Sequence, residues 1–314
     1  MTENGELHVI FGTGPLGRNT MRELVRTGRR VRMVNRSGEA DGLPSEVEVV
    51  RGDAYDVAST TSLTQGAEAV YQCAQPPYHE WAGRFPRMQA AIMEGTARND
   101  ARLVVGDNVY MYGDVGGRPI TEDMPYAAHT KKGRIRAQMA EELLAAHRAG
   151  KVRMAIGRAS DFFGPEELIY DGLWFSAARE GRRVNMLGHL DVPHTFSYVP
   201  DFGRVLATLG TRDEALGEVW HVPNAPAVTQ GEIVQMISSE VGRPVRTRTA
   251  NAALVRVLGL VNPSMREIGE MMYEWNRPFV VDGGKFERAF GTSATPLREA
   301  IRQTVAWSAQ HNSG

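Results

Sequence analysis

The sequence predicts an α/β protein, a doubly wound parallel sheet with a smaller C-terminal cap, and three observations carry that prediction. Short runs of Val, Ile and Leu recur through the first half without polar alternation, as strands covered on both faces require. Stretches of helical periodicity separate them. A strand, a glycine-rich turn and a helix open the chain in that order, over Val9-Ile10-Phe11-Gly12-Thr13-Gly14-Pro15-Leu16-Gly17. Such alternation implies right-handed βαβ units on a parallel sheet.

Taken in order, strands are expected at Leu7 to Phe11, Val31 to Val34, Val47 to Val50, Ala69 to Cys73, Leu103 to Val105 and Val152 to Ile156. In the first helix Met21, Leu24 and Val25 share a face, and Gly28 stands where that helix would end. Ile135, Met139, Leu143 and His147 recur at four-residue spacing, and Gly150 stops that helix. Beyond about residue 165 the pattern loosens. Arg183 to Leu187 and Glu218 to Val222 read as further strands. Thr229 and Glu232 have capping-box spacing before Ile233, Met236 and Ile237. Leu254 to Val261, Ser264 to Tyr273 and Leu297 to Trp307 read as helices. The expected organisation is a dinucleotide-binding domain over 1–165 and a mainly substrate-binding region over 166–314, with segments returning to the sheet.

Composition narrows the function classes. The 314 residues carry 36 Lys and Arg against 37 Asp and Glu, a net charge of -1. A nucleic-acid binder would show a clustered basic excess, so no such partner is expected. The one cysteine, Cys73, excludes an intrachain disulfide framework and fits a reducing compartment. No apolar run approaches the ~20 residues that span a bilayer. A cytoplasmic protein with no membrane partner, monomeric or homodimeric, is expected. No C-x-x-C, H-E-x-x-H or carboxylate cluster points to a metal, and no G-x-S-x-G elbow points to a hydrolase.

The glycine loop carries the chemistry. Gly12 allows the tight turn, Gly14 leaves room for a diphosphate, and Gly17 lets helix and strand pack closely. Thr13, Pro15 and Leu16 complete a loop whose amides face the phosphates at the positive end of a helix. NAD-selective proteins of this architecture, the Rossmann fold, carry Asp or Glu at the end of the second strand. Here that place reads Asn35-Arg36-Ser37, with no carboxylate. The planar fork of Arg36 suits a 2′-phosphate, so NADP(H) is expected over NAD(H). Asp53, before Ala54, stands where it can accept from an adenine amino group or cap the next helix, two compatible roles. Cys73, Ala74 and Gln75 end the fourth strand, where small side chains let backbone lie along the cofactor.

These residues resemble the short-chain dehydrogenase/reductase superfamily, in particular its extended or atypical group similar to the NAD-dependent epimerases and dehydratases. The resemblance covers nearly the whole chain. Val104-Val105-Gly106-Asp107-Asn108-Val109-Tyr110-Met111-Tyr112-Gly113 resembles that group's fifth strand and Tyr-Gly signature. Arg158-Ala159-Ser160-Asp161-Phe162-Phe163-Gly164-Pro165 resembles its sixth strand and nicotinamide-side loop. His194 to Asp201 resembles the segment that leads a helix back to the sheet, and Phe286 to Trp307 the C-terminal helix. The resemblance implies that Asp107, Arg158, Ala159 and Ser160 lie along the cofactor.

The catalytic constellation departs from the family. Its members use Ser or Thr with the Tyr and Lys of Y-x-x-x-K, tyrosine being the acid or base on the substrate oxygen and lysine lowering its pKa. Aligning Tyr112-Gly113 with the family's Tyr-Gly places Asn108 at the Ser/Thr position, Gly133 at the tyrosine and Ala137 at the lysine. Tyr126 is followed four residues later by Thr130, and Y-x-x-x-K occurs nowhere. The candidate substitutes are Lys132 and Arg136 for the cation, Tyr110 or Tyr112 for the phenolic proton, and Asn108 as a hydrogen-bond partner for a carbonyl. Candidate substrate-binding residues are Tyr78 and Trp81 with His79 after the fourth strand, Phe162, Phe163, Trp174 and Phe175 as an apolar wall, and His194. The leading expectation is an NADP(H)-dependent oxidoreductase acting on a small organic molecule. The alternatives are an epimerase or dehydratase using transient oxidation, and a non-catalytic NADP(H) sensor.

Overall fold

In the computed structural model, which describes residues 5–261 and 263–311, the chain forms two compact units. One comprises Met1–Asn108, Arg134–Ala159 and Phe202–Trp220; the other comprises Val109–Gly133, Ser160–Asp201 and His221–Gly314.

The first unit is the doubly wound sheet. Its strands are β1 (Leu7–Phe11), β2 (Arg30–Asn35), β3 (Glu48–Arg51), β4 (Ala67–Gln72), β5 (Arg102–Asp107) and β6 (Arg153–Arg158). They stand in the order β3-β2-β1-β4-β5-β6, and a seventh strand, Val219–His221, lies outside β6. Each neighbouring pair among β1 to β6 is parallel, with Ile10 level with Met33 on one side and Tyr71 on the other. Val9, Ile10, Val70, Leu103, Val104, Ala155 and Ile156 are fully buried, which is why these strands show no polar alternation. The expected strands are all present, with ends displaced by at most two residues.

Four helices join the strands: α1 (Pro15–Arg26), α2 (Val57–Leu63), α3 (Trp81–Arg98) and α4 (Lys131–Arg148). Two approaches fix their packing. A Cβ on Gly95 of α3 would stand 2.4 Å from the Thr60 hydroxyl of α2, and Thr60 donates to the Ala91 carbonyl at 2.7 Å. Gln89 of α3 donates to the Met139 carbonyl of α4 at 2.8 Å. On the other side of the sheet, Leu206 fills the space over Gly106 and Gly157, where an added Cβ would meet its methyl groups at 3.5 and 2.7 Å.

The second unit holds three two-stranded pairings: 161–163 with 196–198 in parallel, 184–187 with 247–250 in parallel, and 193–194 with 228–229 antiparallel. Helices Gln230–Val241, Ala252–Leu258, Pro263–Glu270, Gly284–Phe290 and Leu297–His311 surround them. Phe163, Trp174, Phe175, Phe196, Ile237 and Trp275 form the centre of its core. The capping box is present: Thr229 accepts from the Glu232 amide, and the Glu232 carboxylate accepts from the Thr229 amide. The helix expected over Leu254 to Val261 starts earlier, because the Asn251 side chain caps it by accepting from the Leu254 amide at 2.9 Å.

Candidate cofactor site

The sheet order reverses between β1 and β4, the switch point where ligands bind in open α/β sheets. The chain leaves β1 through Gly12, whose φ of +115° favours glycine and whose Cβ would stand 2.8 Å from the Ala74 amide. A Cβ on Gly17 would lie 2.1 Å from the Gly12 carbonyl oxygen, so α1 starts in direct backbone contact with the strand end. A Cβ on Gly14 would meet nothing within 4 Å. The N-cap of α1, Gly14, supplies no side-chain hydrogen bond, and Pro15 follows it. The loop is therefore tight at both ends and open in the middle, at a helix end whose amides lack intrahelical acceptors. This cradle fits a dinucleotide diphosphate, which Thr13, Gly14, Leu16 and Gly17 would hold.

The loop after β2 is tied to it. Asn35 donates to the Thr13 hydroxyl at 3.2 Å and to the Glu39 carbonyl at 2.7 Å, and accepts from the Gly38 amide and the Ser37 hydroxyl. Its amide thus builds the loop. Arg18 on α1 donates to the Thr13 and Asp41 carbonyls, both at 2.9 Å. Arg36 is left exposed at the rim of a cavity of about 180 Å³. Phe11, Val34 and Met88 give that cavity apolar walls, and Asp53, Ala74 and Arg84 also line it. Asp53 accepts from the Tyr55 amide at 2.9 Å, while the cap of α2 is Asp56, which accepts from the Ala58 and Ser59 amides. Cys73 contributes its backbone, donating to the Phe11 carbonyl. Burial pushes its thiol up to about 12, despite the Thr20 hydroxyl nearby.

The profile of the NAD dependent epimerase/dehydratase family matches residues 9–222. The chain belongs to this family. It is accordingly an NAD(P)-dependent enzyme of the epimerase/dehydratase type. Among solved structures, MoeE5 in complex with UDP-glucose and NAD is 22% identical with a TM-score of 0.77, over 98% of this chain and 100% of that one. The dTDP-glucose 4,6-dehydratase DesIV of Streptomyces venezuelae, with NAD and TYD bound, is 17% identical with a TM-score of 0.78, over 98% of each chain. UDP-glucose 4-epimerase of Thermus thermophilus, complexed with NAD, is 15% identical with a TM-score of 0.77, over 97% and 99%. These are likenesses of fold. No protein of curated function matches the chain in sequence.

The place expected for the family's tyrosine, Gly133, has no room for a side chain. At Gly133, aligned with the family tyrosine, a Cβ would stand 2.5 Å from the Tyr110 carbonyl oxygen and 2.8 Å from the Ala128 methyl. No side chain fits there without moving the backbone. Lys132 is buried and ion-paired with Glu267. Tyr112 is buried too, its hydroxyl 2.9 Å from His221 Nε2. The other imidazole nitrogen lies 3.0 Å from the Asp282 carbonyl, which only accepts, so a neutral His221 carries its proton on Nδ1 and receives the Tyr112 proton on Nε2. Tyr110 and Asn108 are half-buried.

At the ends of β5 and β6, one carboxylate serves two cations. Asp107 accepts from Arg136 through Nε at 2.7 Å and from Arg158 through Nε at 3.0 Å, and also from the Asn108 amide. All three charged side chains are buried. Arg136 further lies 4.5 Å from the Phe85 ring centroid. Leaving such a carboxylate without its cations would be costly, so these residues hold the strand ends together. Ser160 is buried and donates its amide to the Ser197 hydroxyl at 3.1 Å.

The substrate candidates separate by burial. Trp81 is buried and donates to the Pro76 carbonyl, Phe163 stacks on Phe175, and Trp174 donates to the Asn185 carbonyl at 2.9 Å. His194 is buried between the Asp161 carboxylate at 3.0 Å and the Glu274 carbonyl at 3.2 Å, stacked flat on Trp275. Tyr78 and Phe162 are half-buried. Sequence reasoning missed Arg84, Tyr55 and Arg18 at the cofactor loops and His221 behind Tyr112. Each also has a partner distant in sequence: Asp41 for Arg18, Tyr55 and Arg84 for one another, and Tyr112 for His221. Among the described residues no group of three or more His, Cys, Asp or Glu is placed to hold a metal, and no helix is long and apolar enough to cross a membrane.

Proposed function

We propose that this family member is an NADP(H)-dependent oxidoreductase acting on a small organic substrate. The observation that carries the reading is Arg36, exposed at the rim of the adenosine-side cavity where an NAD-selective protein places its ribose-binding acid. NADP(H) supplies the hydride, and the protein supplies orientation and exclusion of water. The amides of Thr13, Gly14, Leu16 and Gly17 would hold the diphosphate, and Ala54, Ala74 and Gln75 would flank the cofactor. Tyr78 and Phe162 are the part-exposed candidates for substrate contact. Proton transfer does not use a Tyr-x-x-x-Lys pair, since Gly133 and Ala137 occupy those positions; Tyr110 and Asn108, both half-buried, are the candidates to exchange a proton or hydrogen bond with a substrate oxygen.

The test is calorimetric titration with NADPH and NADH. Arg36→Ala is expected to weaken NADPH by ~10- to 100-fold, the value of a charge-assisted bond, and NADH by less than ~2-fold. Equal losses refute NADP(H) selectivity. NADPH oxidation against ketones, enones and sugar nucleotides identifies the substrate class. Tight NADPH binding without turnover of any of them would instead favour a binding role.

A further inference from the structure

The cavity beside Arg36 is lined by a second arginine from a different element. Arg84 lies in the first turn of α3. Its side chain is 43% exposed, yet it is held in place. Nη1 donates to the Glu80 carboxylate at 2.6 Å, and the guanidinium carbon lies 4.9 Å from the Tyr55 ring centroid. Tyr55 lines the same cavity. Arg84 is thereby fixed at the cavity wall.

The charges of the lining point the same way. Its charged side chains are Arg36, Asp53 and Arg84. Asp53 accepts from the Tyr55 amide, so the carboxylate serves its own turn. The lining carries two guanidinium groups against one carboxylate, and Glu80, outside it, pairs with Arg84. An adenosine with free 2′ and 3′ hydroxyls offers neither cation an anionic partner. A 2′-phosphate offers about -1.5 to -2 charges and three acceptor oxygens near neutral pH, and arginine forks match phosphate oxygens in pairs.

We propose that Arg84, together with Arg36, binds the 2′-phosphate of NADP(H), with Tyr55 positioning its guanidinium and the Glu80 carboxylate competing for it. This rests on the NADP(H) reading above. Arg36 arrives from the end of β2 and Arg84 from α3, so selectivity for the phosphorylated adenosine is shared between two elements on either side of the switch point.

The experiment titrates the full-length protein with 2′,5′-ADP and with 5′-AMP, two probes that differ at the 2′ position. Arg84→Met is expected to weaken 2′,5′-ADP by ~10-fold while changing 5′-AMP by less than ~2-fold. Glu80→Gln removes the competing carboxylate and is expected to tighten 2′,5′-ADP by a few-fold, a gain that misfolding would not produce. Equal losses for both probes in Arg84→Met would mean that Arg84 stacks on the base or shapes the cavity, and would overturn the proposal. No change with either probe would overturn it as well. A wild-type protein that binds 2′,5′-ADP no more tightly than 5′-AMP would refute NADP(H) selectivity itself, whatever Arg84 does.

Discussion

Glu167 shows how far a single side chain departs from its ordinary chemistry here. It caps its own helical turn by accepting from the Ile169 and Tyr170 amides at 3.1 and 2.7 Å. Burial nevertheless outweighs those bonds and lifts the carboxyl from 4.5 to about 7, with Asp171 and Asp161 adding repulsion. The folded value lies above the unfolded one, so this group's contribution to stability is fully present below pH 4.5 and is lost as pH rises through about 7. Relative to Glu167→Gln, the wild type should lose up to about 3 kcal/mol across that interval, measured as urea stability against pH. Parallel profiles would show that Glu167 does not titrate there. At this scale the sequence is legible where chemistry is local. Arg36 stands out because an acid is missing beside it. Arg84 does not, since one arginine in a helix that also carries Arg87 and Arg98 looks like any solvated residue. Asp107 and Arg158 stand in motif segments, but the buried pairing of Asp107 with Arg136 and Arg158 joins side chains 29 and 51 residues away from it.

At the scale of elements, the close contact between the start of α4 and the Tyr110 turn sets a limit on engineering. Gly133→Ala should cost ~1–3 kcal/mol, because its Cβ would press on backbone rather than on a side chain that can turn away. Thermal unfolding reads this directly, and an unchanged midpoint would show that the turn yields freely. Gly133→Tyr with Ala137→Lys should therefore lose stability and restore no activity. The sheet strands were legible because burial on both faces leaves runs such as Val9-Ile10-Phe11 and Val104-Val105. The helix Trp81–Arg98 was not marked out, since Pro86 lies inside it and proline argues against a helix interior. The paired segments 161–163, 193–194, 196–198 and 228–229 span two or three residues each. That is too short for any periodicity to show.

On the scale of the whole molecule, each unit is assembled from three separate stretches of chain. The sequence shows the alternation of strands and helices but carries no mark of this interleaving, which appears only once distant segments are paired. A chain ended at residue 165 would keep β1 to β6 and lose Leu206 from above Gly106 and Gly157, together with the strand Val219–His221. Such a fragment should show no cooperative thermal transition by circular dichroism, and a sharp melt at the full-length temperature would contradict this. The same threading bears on biosynthesis. A ribosome adds ~5–20 residues per second, so several seconds separate the emergence of Arg158 from that of Val219. Through that interval the sheet's outer edge and the apolar face beneath Leu206 have no cover of their own. The first unit cannot finish folding until Trp220 has been made, and meanwhile its unfinished edge is open to chaperones.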